Sequence, residues 1–248
     1  MTTSHLSDLR FDDLELQDSV RAGIRDAGFE FCTPIQASTL PIALNNTDVA
    51  GQAQTGTGKT AAFLVAMYQR LLASAPRADE AKQPRAFILA PTRELAVQIA
   101  NDAEVLGKHT GFIVGLAFGG TGYEQQRRHI QEGIDVLIGT PGRIIDYFKQ
   151  GVFKLDRVEV AVLDEADRMF DLGFIKDIRY LLRRLPPPDK RINMLFSATL
   201  SHRVMELAYE HMNEPELIRI EPDKVTADRV RQAIFFPSNK EKMPLLVG

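Results

Sequence analysis

Two short polar motifs, each placed directly after an apolar stretch, constrain the fold of this chain more than any other feature. The first is the glycine-rich run from Ala53 to Thr60, and the second is the acidic tetrapeptide from Asp164 to Asp167. A glycine-rich loop between a strand and a helix lets successive amides converge at the helix N-terminus. A carboxylate that follows a parallel strand lies where ligands gather in open α/β sheets. The pair therefore indicates an α/β domain with one ligand-binding edge.

Apolar runs rich in β-branched residues recur along the chain and alternate with helical patterns. The runs predicted as strands are 48–50, 86–90, 112–116, 135–138, 158–163, 192–196 and 217–220, with one further possible strand at 232–236. The predicted helices are 59–72, 93–106, 174–185 and 201–211. Several runs are apolar throughout, as in parallel strands buried on both faces. This alternation predicts an α/β fold, a mostly parallel sheet with helices on both faces.

Size and composition limit the remaining possibilities. The 248 residues suit one large domain, and the net charge of −3 counts against a protein that grips nucleic acid by bulk positive charge. Cys32 is the only cysteine, which excludes an internal disulfide and is typical of a reducing compartment. The first ten residues lack the apolar core of a signal peptide. We therefore expect a cytoplasmic protein.

The glycine-rich run has the residue types of a phosphate-binding loop. Gly56 and Gly58 are expected to shape the loop, Lys59 to reach the β- and γ-phosphates, and the Thr60 hydroxyl to face Mg²⁺. The common pattern begins with glycine, and here Ala53 takes that place. The alternative is a glycine-rich turn with an incidental lysine. The predicted nucleotide-binding residues of the run are Ala53, Gln54, Thr55, Gly56, Thr57, Gly58, Lys59 and Thr60.

The acidic tetrapeptide completes such a site. Asp164 is expected to hold Mg²⁺, and Glu165 to orient or deprotonate an attacking water. The alternative is an acidic cap at the start of a helix. Together the two motifs predict a nucleoside triphosphatase whose catalytic residues are Lys59, Asp164 and Glu165.

Several further runs occur in the order in which they occur in a known family, and the chain resembles the DEAD-box ATP-dependent RNA helicases. The similar runs are Phe11 with Gly28-Phe29 and Thr33-Pro-Ile-Gln36, then Pro91 to Ala96, Gly119-Gly120, Thr140 to Arg143 and Ser197-Ala-Thr199. Within the family, residues 51–60 and 164–177 look most like a bacterial branch that works with the RNA-degradation machinery. The resemblance implies a RecA-like P-loop domain that uses ATP and Mg²⁺ and binds RNA.

The resemblance assigns adenine reading to the segment before the glycine-rich run. The Gln36 amide can donate and accept at once, which suits the N6 and N7 edge of adenine and would select ATP over GTP. Phe11 is expected to pack against the base, although a lone phenylalanine is also typical of a core. Cys32 stands where many family members have proline, which is expected to loosen the turn and to leave Gln36 in place.

The resemblance also implies an RNA-facing surface. Small residues, helix N-termini and two arginines suit a sugar–phosphate backbone and carry no base code, so binding should be largely independent of RNA sequence and sensitive to salt. Each run has a plain structural alternative: Thr92 as a helix cap, Pro141 at a helix start, the glycine pair as a turn. The predicted RNA-binding residues are Pro91, Thr92, Arg93, Gly119, Gly120, Thr140, Pro141, Gly142 and Arg143.

Ser197 and Thr199 are expected to bond to Asp167 and so to link the nucleotide site to the RNA face. The alternative is that Thr199 caps the helix that starts near Ser201. Both arrangements are compatible with the sequence.

The domain expectation has three parts. Residues 1–36 form an extension with the adenine-reading motif, residues 37–220 form the RecA-like domain, and residues 221–248 form a last strand and the start of a linker. In the family a second RecA-like domain supplies an arginine finger, and no such motif is found here. We expect the isolated chain to bind nucleotide with little turnover. Two alternatives remain open: an ATP-gated RNA-binding scaffold for a nuclease complex, and another P-loop ATPase such as a DNA translocase.

Overall fold

The computed structural model describes residues 6–74 and 83–220, and its framework is a single seven-stranded sheet. All strand pairs are parallel, in the order β3-β4-β2-β5-β6-β1-β7. The strands are β1 (Val49–Gln52), β2 (Ala86–Leu89), β3 (Val114–Ala117), β4 (Val136–Gly139), β5 (Val160–Leu163), β6 (Ile192–Ser197) and β7 (Glu216–Arg219). The predicted parallel α/β fold is confirmed. The possible strand at 232–236 and the linker lie outside the described residues.

Nine α-helices are found within the described ranges. They are α1 (Asp18–Asp26), α2 (Pro34–Leu44), α3 (Lys59–Ala73), α4 (Arg93–Leu106), α5 (Tyr123–Gln131), α6 (Pro141–Lys149), α7 (Ala166–Asp171), α8 (Ile175–Leu182) and α9 (His202–His211). Short 3₁₀ turns occur at Phe11–Asp13 and Pro188–Lys190. None of these helices has the length and apolar character needed to cross a membrane.

The sheet separates two apolar layers. In β2, Ala86 and Ile88 belong to the layer that includes residues of α1 to α4, whereas Phe87 and Leu89 belong to the layer with residues of α6, α8 and α9. Every residue of β2 is fully buried. Both faces are therefore covered, which is why the strands read as continuous apolar runs.

A buried polar network joins the amino ends of β1, β6 and β7. The Asp48 carboxylate accepts hydrogen bonds from the backbone and side-chain nitrogens of Asn193 (2.8 and 2.7 Å) and from the backbone of Asn213 (2.7 Å). The Arg191 guanidinium donates to Asn193 Oδ1 and to the His211 carbonyl. The network occupies the amino ends of these strands, and ligands of open parallel sheets bind at the opposite, carboxyl edge.

Candidate active site

The glycine-rich run forms a tight loop between β1 and α3. Ala53 is still paired with the sheet: its amide donates to the Ser197 carbonyl at 3.0 Å, and its side chain is buried. Ala53 is not among the residues with positive φ, so alanine is accepted here where the common pattern has glycine. Gly56 and Gly58 have φ of +85° and +90°, which favour glycine, and α3 begins at Lys59. The predicted strand, loop and helix N-terminus are all present.

Lys59 and Asp164 meet in the buried centre of the site. The Lys59 Nζ lies 2.8 Å from Asp164 Oδ1, which also accepts the Glu165 amide at 2.9 Å. Asp164 Oδ2 is buried without a hydrogen-bond partner in the described structure. Burial raises the pKa of the Asp164 carboxyl, and the Lys59 ammonium opposes this shift. An orphaned carboxylate oxygen beside the start of α3 suits a hard cation, with Thr60 in the first turn of that helix.

Glu165 takes an unusual backbone conformation at the start of α7. Its φ is +52°, in the left-handed region that non-glycine residues seldom adopt. Its Oε1 accepts a hydrogen bond from the Thr55 hydroxyl at 3.0 Å, and its Oε2 pairs with Arg168 at 3.3 Å. Thr55 belongs to the phosphate loop, so the two motifs touch directly. The contacts made by Thr55 and Arg168 have no signature in the sequence.

Gln36 is connected to the same loop. The segment expected to form a turn is the first turn of α2, with Thr33 at its N-cap. Gln36 Oε1 accepts from the Thr33 amide at 2.8 Å, and Gln36 Nε2 donates to the Gly58 carbonyl at 2.9 Å. An amide side chain has two donor hydrogens and two acceptor lone pairs, so each end of Gln36 keeps one hydrogen-bonding site beyond these contacts, in a side chain that is only 4% exposed.

The two aromatic residues of this segment differ in exposure. Phe11 is only 3% exposed and belongs to the core, whereas Phe29 is 42% exposed. The two rings are stacked with centroids 6.1 Å apart, and both line a cavity of about 350 Å³. Phe11 is therefore covered by Phe29, and the ring presented outward belongs to the Gly28-Phe29 run, which the sequence places in the adenine-reading motif without assigning it a contact.

Cys32 was expected to loosen the turn, but in the structure it adds a backbone hydrogen bond to this segment. Its amide donates to the Leu9 carbonyl at 2.8 Å, a bond that proline could not make, and its carbonyl accepts from the Ser7 amide. Burial raises the pKa of the Cys32 thiol to about 11. The cysteine thus adds a backbone contact to the extension.

The predicted RNA-binding residues lie together on the other half of the carboxyl edge. They follow β2, β3 and β4, which are adjacent, and the N-termini of α4, α5 and α6 begin there. The Thr140 amide donates to the Ala117 carbonyl at 2.9 Å, which joins two of these loops. The helix-cap reading of Thr92 is observed, since its hydroxyl accepts from the Leu95 amide, and Pro141 is the first residue of α6.

These residues differ in how accessible they are. Exposed members of the set are Arg93, Gly119, Gly120 and Gly142, with Thr92 and Thr140 half-buried and Pro91 and Pro141 buried. Arg93 lies over the Phe118 ring at 4.9 Å. Arg143 is half-buried, with its guanidinium 4.6 Å from the Tyr123 ring and 5.3 Å from the Tyr147 ring. Of the two arginines, Arg93 is the one presented to solvent.

The loops after β5 and β6 are joined as predicted. The Asp167 amide donates to Ser197 Oγ at 3.2 Å, and Asp167 Oδ2 accepts from the Thr199 amide and hydroxyl at 3.2 and 3.4 Å. The cap of α9 is Ser201, whose hydroxyl accepts from the Val204 amide, and not Thr199. Thr199 is therefore available for its bond to Asp167.

Comparison with known proteins agrees with this geometry. The family model described as DEAD/DEAH box helicase matches residues 33–207. The chain belongs to this family. The matched range contains the phosphate loop, the acidic tetrapeptide, the loops after β2, β3 and β4, and Ser197 with Thr199. The resemblance drawn from the motifs is confirmed.

Relatives of the family extend the likeness to the whole chain. It is 60% identical over 247 residues to a protein of Histophilus somni (strain 129Pt) and 59% identical over 248 residues to one of Pasteurella multocida (strain Pm70), both named ATP-dependent RNA helicase RhlB. These alignments cover all of this chain but only 59% and 58% of the two relatives. The chain thus spans less than two thirds of the length of the RhlB proteins that it matches.

A solved structure of a DEAD-box protein has the same fold. The crystal structure of a DEAD box protein from the hyperthermophile Methanococcus jannaschii matches with a TM-score of 0.76 and 33% identity. The match covers 86% of this chain and 56% of that one. The RecA-like fold predicted from the motifs is confirmed by this likeness.

Proposed function

We propose that this chain is the ATP- and RNA-binding half of an ATP-dependent RNA helicase, which hydrolyses ATP to remodel or locally unwind RNA. The observation that carries the proposal is the convergence of the phosphate loop on the acidic tetrapeptide, with Lys59 2.8 Å from Asp164 and Thr55 3.0 Å from Glu165. These are the two motifs on which a P-loop ATPase depends. Family membership and the names of the RhlB relatives support the same function.

Each residue has a task in hydrolysis. The loop amides at the N-terminus of α3 bind phosphate oxygens, and Lys59 neutralises charge on the β- and γ-phosphates. Asp164 and Thr60 would hold Mg²⁺, which, when bound, neutralises the charge that develops on the phosphates. Glu165 orients the attacking water and accepts its proton. The unpartnered Asp164 Oδ2 supports this assignment of the metal.

Adenine selection falls to Gln36 together with an aromatic ring. We assign that ring to Phe29, because this residue is 42% exposed while Phe11 is buried behind it. Phe11 then supports Phe29 from the core side. Gln36 connects base and phosphates, because the same amide that reads the base bonds to the Gly58 carbonyl.

RNA binds at the carboxyl ends of β2, β3 and β4 in this proposal. The open glycines Gly119 and Gly142 let the backbone approach a phosphate closely, since an added Cβ at either would meet no atom within 4 Å. Contact through amides, helix N-termini and Arg93 carries no base code, so affinity should depend on salt more than on sequence. The bonds from Asp167 to Ser197 and Thr199 link this half to the nucleotide half.

The partners follow from the proposal. The longer relatives support a second RecA-like domain in the complete protein, which would close on ATP and RNA and supply the arginine finger. ATP and RNA would then favour the same closed state and strengthen each other's binding. We place the protein in the cytoplasm, with an RNA-degradation nuclease complex as its partner.

The test is an RNA-stimulated ATPase assay on the complete protein. We expect stimulation by single-stranded RNA and not by DNA, loss of nucleotide binding in Lys59→Ala, and loss of turnover with retained binding in Glu165→Gln. Stimulation by DNA would favour a translocase. Full RNA binding and ATP binding without turnover in the unsubstituted protein would favour the ATP-gated scaffold.

A further inference from the structure

We propose that Gln126 is a positioning residue for RNA binding, whose side chain holds the loop of residues 118–121 in the shape that presents Gly119 and Gly120 to the RNA backbone. The inference rests on the proposed function, because it concerns the RNA-facing edge of the same domain. Gln126 is the fourth residue of α5 and belongs to none of the motifs that the sequence displays.

The side chain of Gln126 bridges the two ends of the loop that follows β3. Its Oε1 accepts a hydrogen bond from the Phe118 amide at 3.0 Å, and its Nε2 donates to the Thr121 carbonyl at 2.9 Å. Phe118 and Thr121 flank the two glycines on either side. A glutamine amide suits this arrangement, because one end accepts while the other donates. One side chain therefore closes the loop across Gly119 and Gly120.

The loop has few contacts of its own that could fix its shape. Gly120 and Gly122 have φ of +103° and +67°, and glycine loses more conformational freedom on ordering than any other residue. Within residues 6–74 and 83–220, neither Gly119 nor Gly120 donates a backbone hydrogen bond to a carbonyl. A Cβ added to Gly119 would meet no atom within 4 Å, so close packing does not hold it either. The loop therefore depends on contacts at its ends, and Gln126 supplies one at each.

The same loop lies against the exposed arginine of the RNA-facing edge. The Arg93 guanidinium is 4.9 Å from the centre of the Phe118 ring, and a Cβ added to Gly120 would be 3.6 Å from Arg93 Nη1. Phe118 thus contacts Gln126 through its amide and Arg93 through its ring. By holding this backbone, Gln126 orders both the two glycines and the surface on which Arg93 lies.

The order of the free loop affects RNA affinity. A loop that is already in its bound shape avoids the cost of being ordered when RNA binds. Two partly exposed hydrogen bonds, each contributing about a factor of two to five in an equilibrium constant, should together strengthen RNA binding about five- to twentyfold. The phosphate loop follows β1, on the other half of the carboxyl edge, so ATP binding should not depend on Gln126.

The experiment compares one substitution at two neighbouring positions of α5 in the complete protein. Gln126→Met removes both hydrogen-bonding groups while it keeps the charge, the length and the helix propensity of the side chain. Gln125→Met is the matched control, because Gln125 is exposed on the same helix. RNA-stimulated ATPase activity is titrated with a single-stranded RNA oligonucleotide of mixed sequence. Hydrogen exchange of the Phe118 amide reports separately on the order of the loop.

We expect Gln126→Met to raise the half-saturating RNA concentration about five- to twentyfold, with kcat at saturating RNA and KM for ATP changed less than about twofold. Exchange of the Phe118 amide should be faster in Gln126→Met, and Gln125→Met should match the unsubstituted protein in every respect.

The role of Gln126 would be overturned by any of three results. These are an unchanged half-saturating RNA concentration in Gln126→Met, an equal change in Gln125→Met, or a joint loss of kcat and ATP affinity, which would show general damage to the fold. Unchanged exchange of the Phe118 amide in Gln126→Met would overturn it as well. Absence of RNA stimulation in the unsubstituted protein would overturn the proposed function itself.

Discussion

The two left-handed glycines of the phosphate loop have different surroundings. A Cβ added to Gly58 would lie 2.5 Å from Gln36 Nε2, whereas one added to Gly56 would meet no atom within 4 Å. Both positions have positive φ, so alanine costs about 1–2 kcal/mol of backbone strain at either. Of these two glycines, only Gly58 lies against Gln36, the residue proposed to read adenine.

We predict that Gly58→Ala weakens ATP binding at least about tenfold more than Gly56→Ala, because it also displaces the Gln36 amide. Isothermal titration of both variants measures the difference. The preference for ATP over GTP should fall in Gly58→Ala and persist in Gly56→Ala. Equal loss of affinity in the two variants would show that strain alone matters.

The stacked pair of rings gives a second prediction for single residues. Phe11→Ala removes a fully packed ring and should lower the free energy of unfolding by about 3–5 kcal/mol. Phe29→Ala removes an exposed ring and should cost about 1 kcal/mol or less, while it weakens ATP binding about five- to tenfold. Urea unfolding and nucleotide titration of the same samples check both. A stable Phe29→Ala with unchanged ATP affinity would contradict the assignment of the adenine-stacking ring.

At the scale of secondary-structure elements, the extension is held by the packing of α1 on α4. Gly23 lies so close to α4 that a Cβ there would be 2.0 Å from the Leu106 carbonyl oxygen. Asp26 at the end of α1 bonds to Lys108 and His109 just after α4. This contact fixes the segment that leads into Phe29 and Gln36.

The close packing of α1 on α4 predicts the sign of the change in the free energy of unfolding when Gly23 is replaced by alanine. In an isolated helix, Gly→Ala stabilises and Ala→Gly destabilises, each by about 0.5–1 kcal/mol. In this chain Gly23→Ala should instead lower the free energy of unfolding by about 1–3 kcal/mol, because the added methyl forces α1 away from α4. Ala22→Gly in the same helix should show only the propensity loss. Chemical denaturation followed by circular dichroism measures the free energy of unfolding of both variants. A Gly23→Ala variant more stable than the unsubstituted chain would contradict the close packing of α1 on α4.

Some elements were predictable from sequence and others were not. The strands follow from continuous apolar runs, because the sheet is buried on both faces, whereas the long helices α3 and α4 follow from apolar periodicity. The helix α5 cannot be predicted from periodicity, because Ile130 is its one buried residue and most of its other side chains are polar, so it has no apolar stripe. The helix α2 was read as a turn because its apolar residues surround it and prolines lie at its start and within it.

At the scale of the whole molecule, the strand order divides the carboxyl edge into two halves. Loops after β1, β5 and β6 hold the predicted phosphate, metal and coupling residues, and loops after β3, β4 and β2 hold the predicted RNA-binding residues. The motifs were recognisable one by one, but strand order depends on long-range pairing that no local pattern specifies. The bond between Thr55 and Glu165, which joins residues 110 positions apart, was beyond sequence reasoning for the same reason.

The buried polar network at the amino ends of the strands gives a prediction about how the stability of the fold depends on pH. Burial lowers the pKa of His211, and nearby Arg183, Arg191 and Arg179 act in the same direction, while Glu210 opposes them. Protonation is therefore easier in the unfolded chain, so the stability tied to His211 is lost as pH falls below about 6.5. Burial raises the pKa of Asp48, so the stability tied to this carboxyl depends on pH in the opposite sense. It is present below the unfolded pKa of 3.8 and is lost as pH rises through the higher pKa of the folded chain.

We expect the free energy of unfolding to fall between pH 7.5 and 5.5 by up to about 1 kcal/mol more in the unsubstituted chain than in His211→Gln. The difference between the two curves isolates the histidine, because Asp48 is common to both. Urea unfolding at a series of pH values measures it. Parallel curves would mean that His211 titrates alike in the folded and unfolded chain.

The central claim is that the phosphate loop and Asp164 form one Mg²⁺–ATP site, and the direct measurement is the Mg²⁺ dependence of ATP affinity. Equilibrium titrations with and without Mg²⁺ should show binding that Mg²⁺ strengthens at least about tenfold in the unsubstituted chain. In Asp164→Asn that strengthening should disappear, and in Lys59→Ala binding should be lost under both conditions. ATP binding that ignores Mg²⁺ and survives both substitutions would contradict the account.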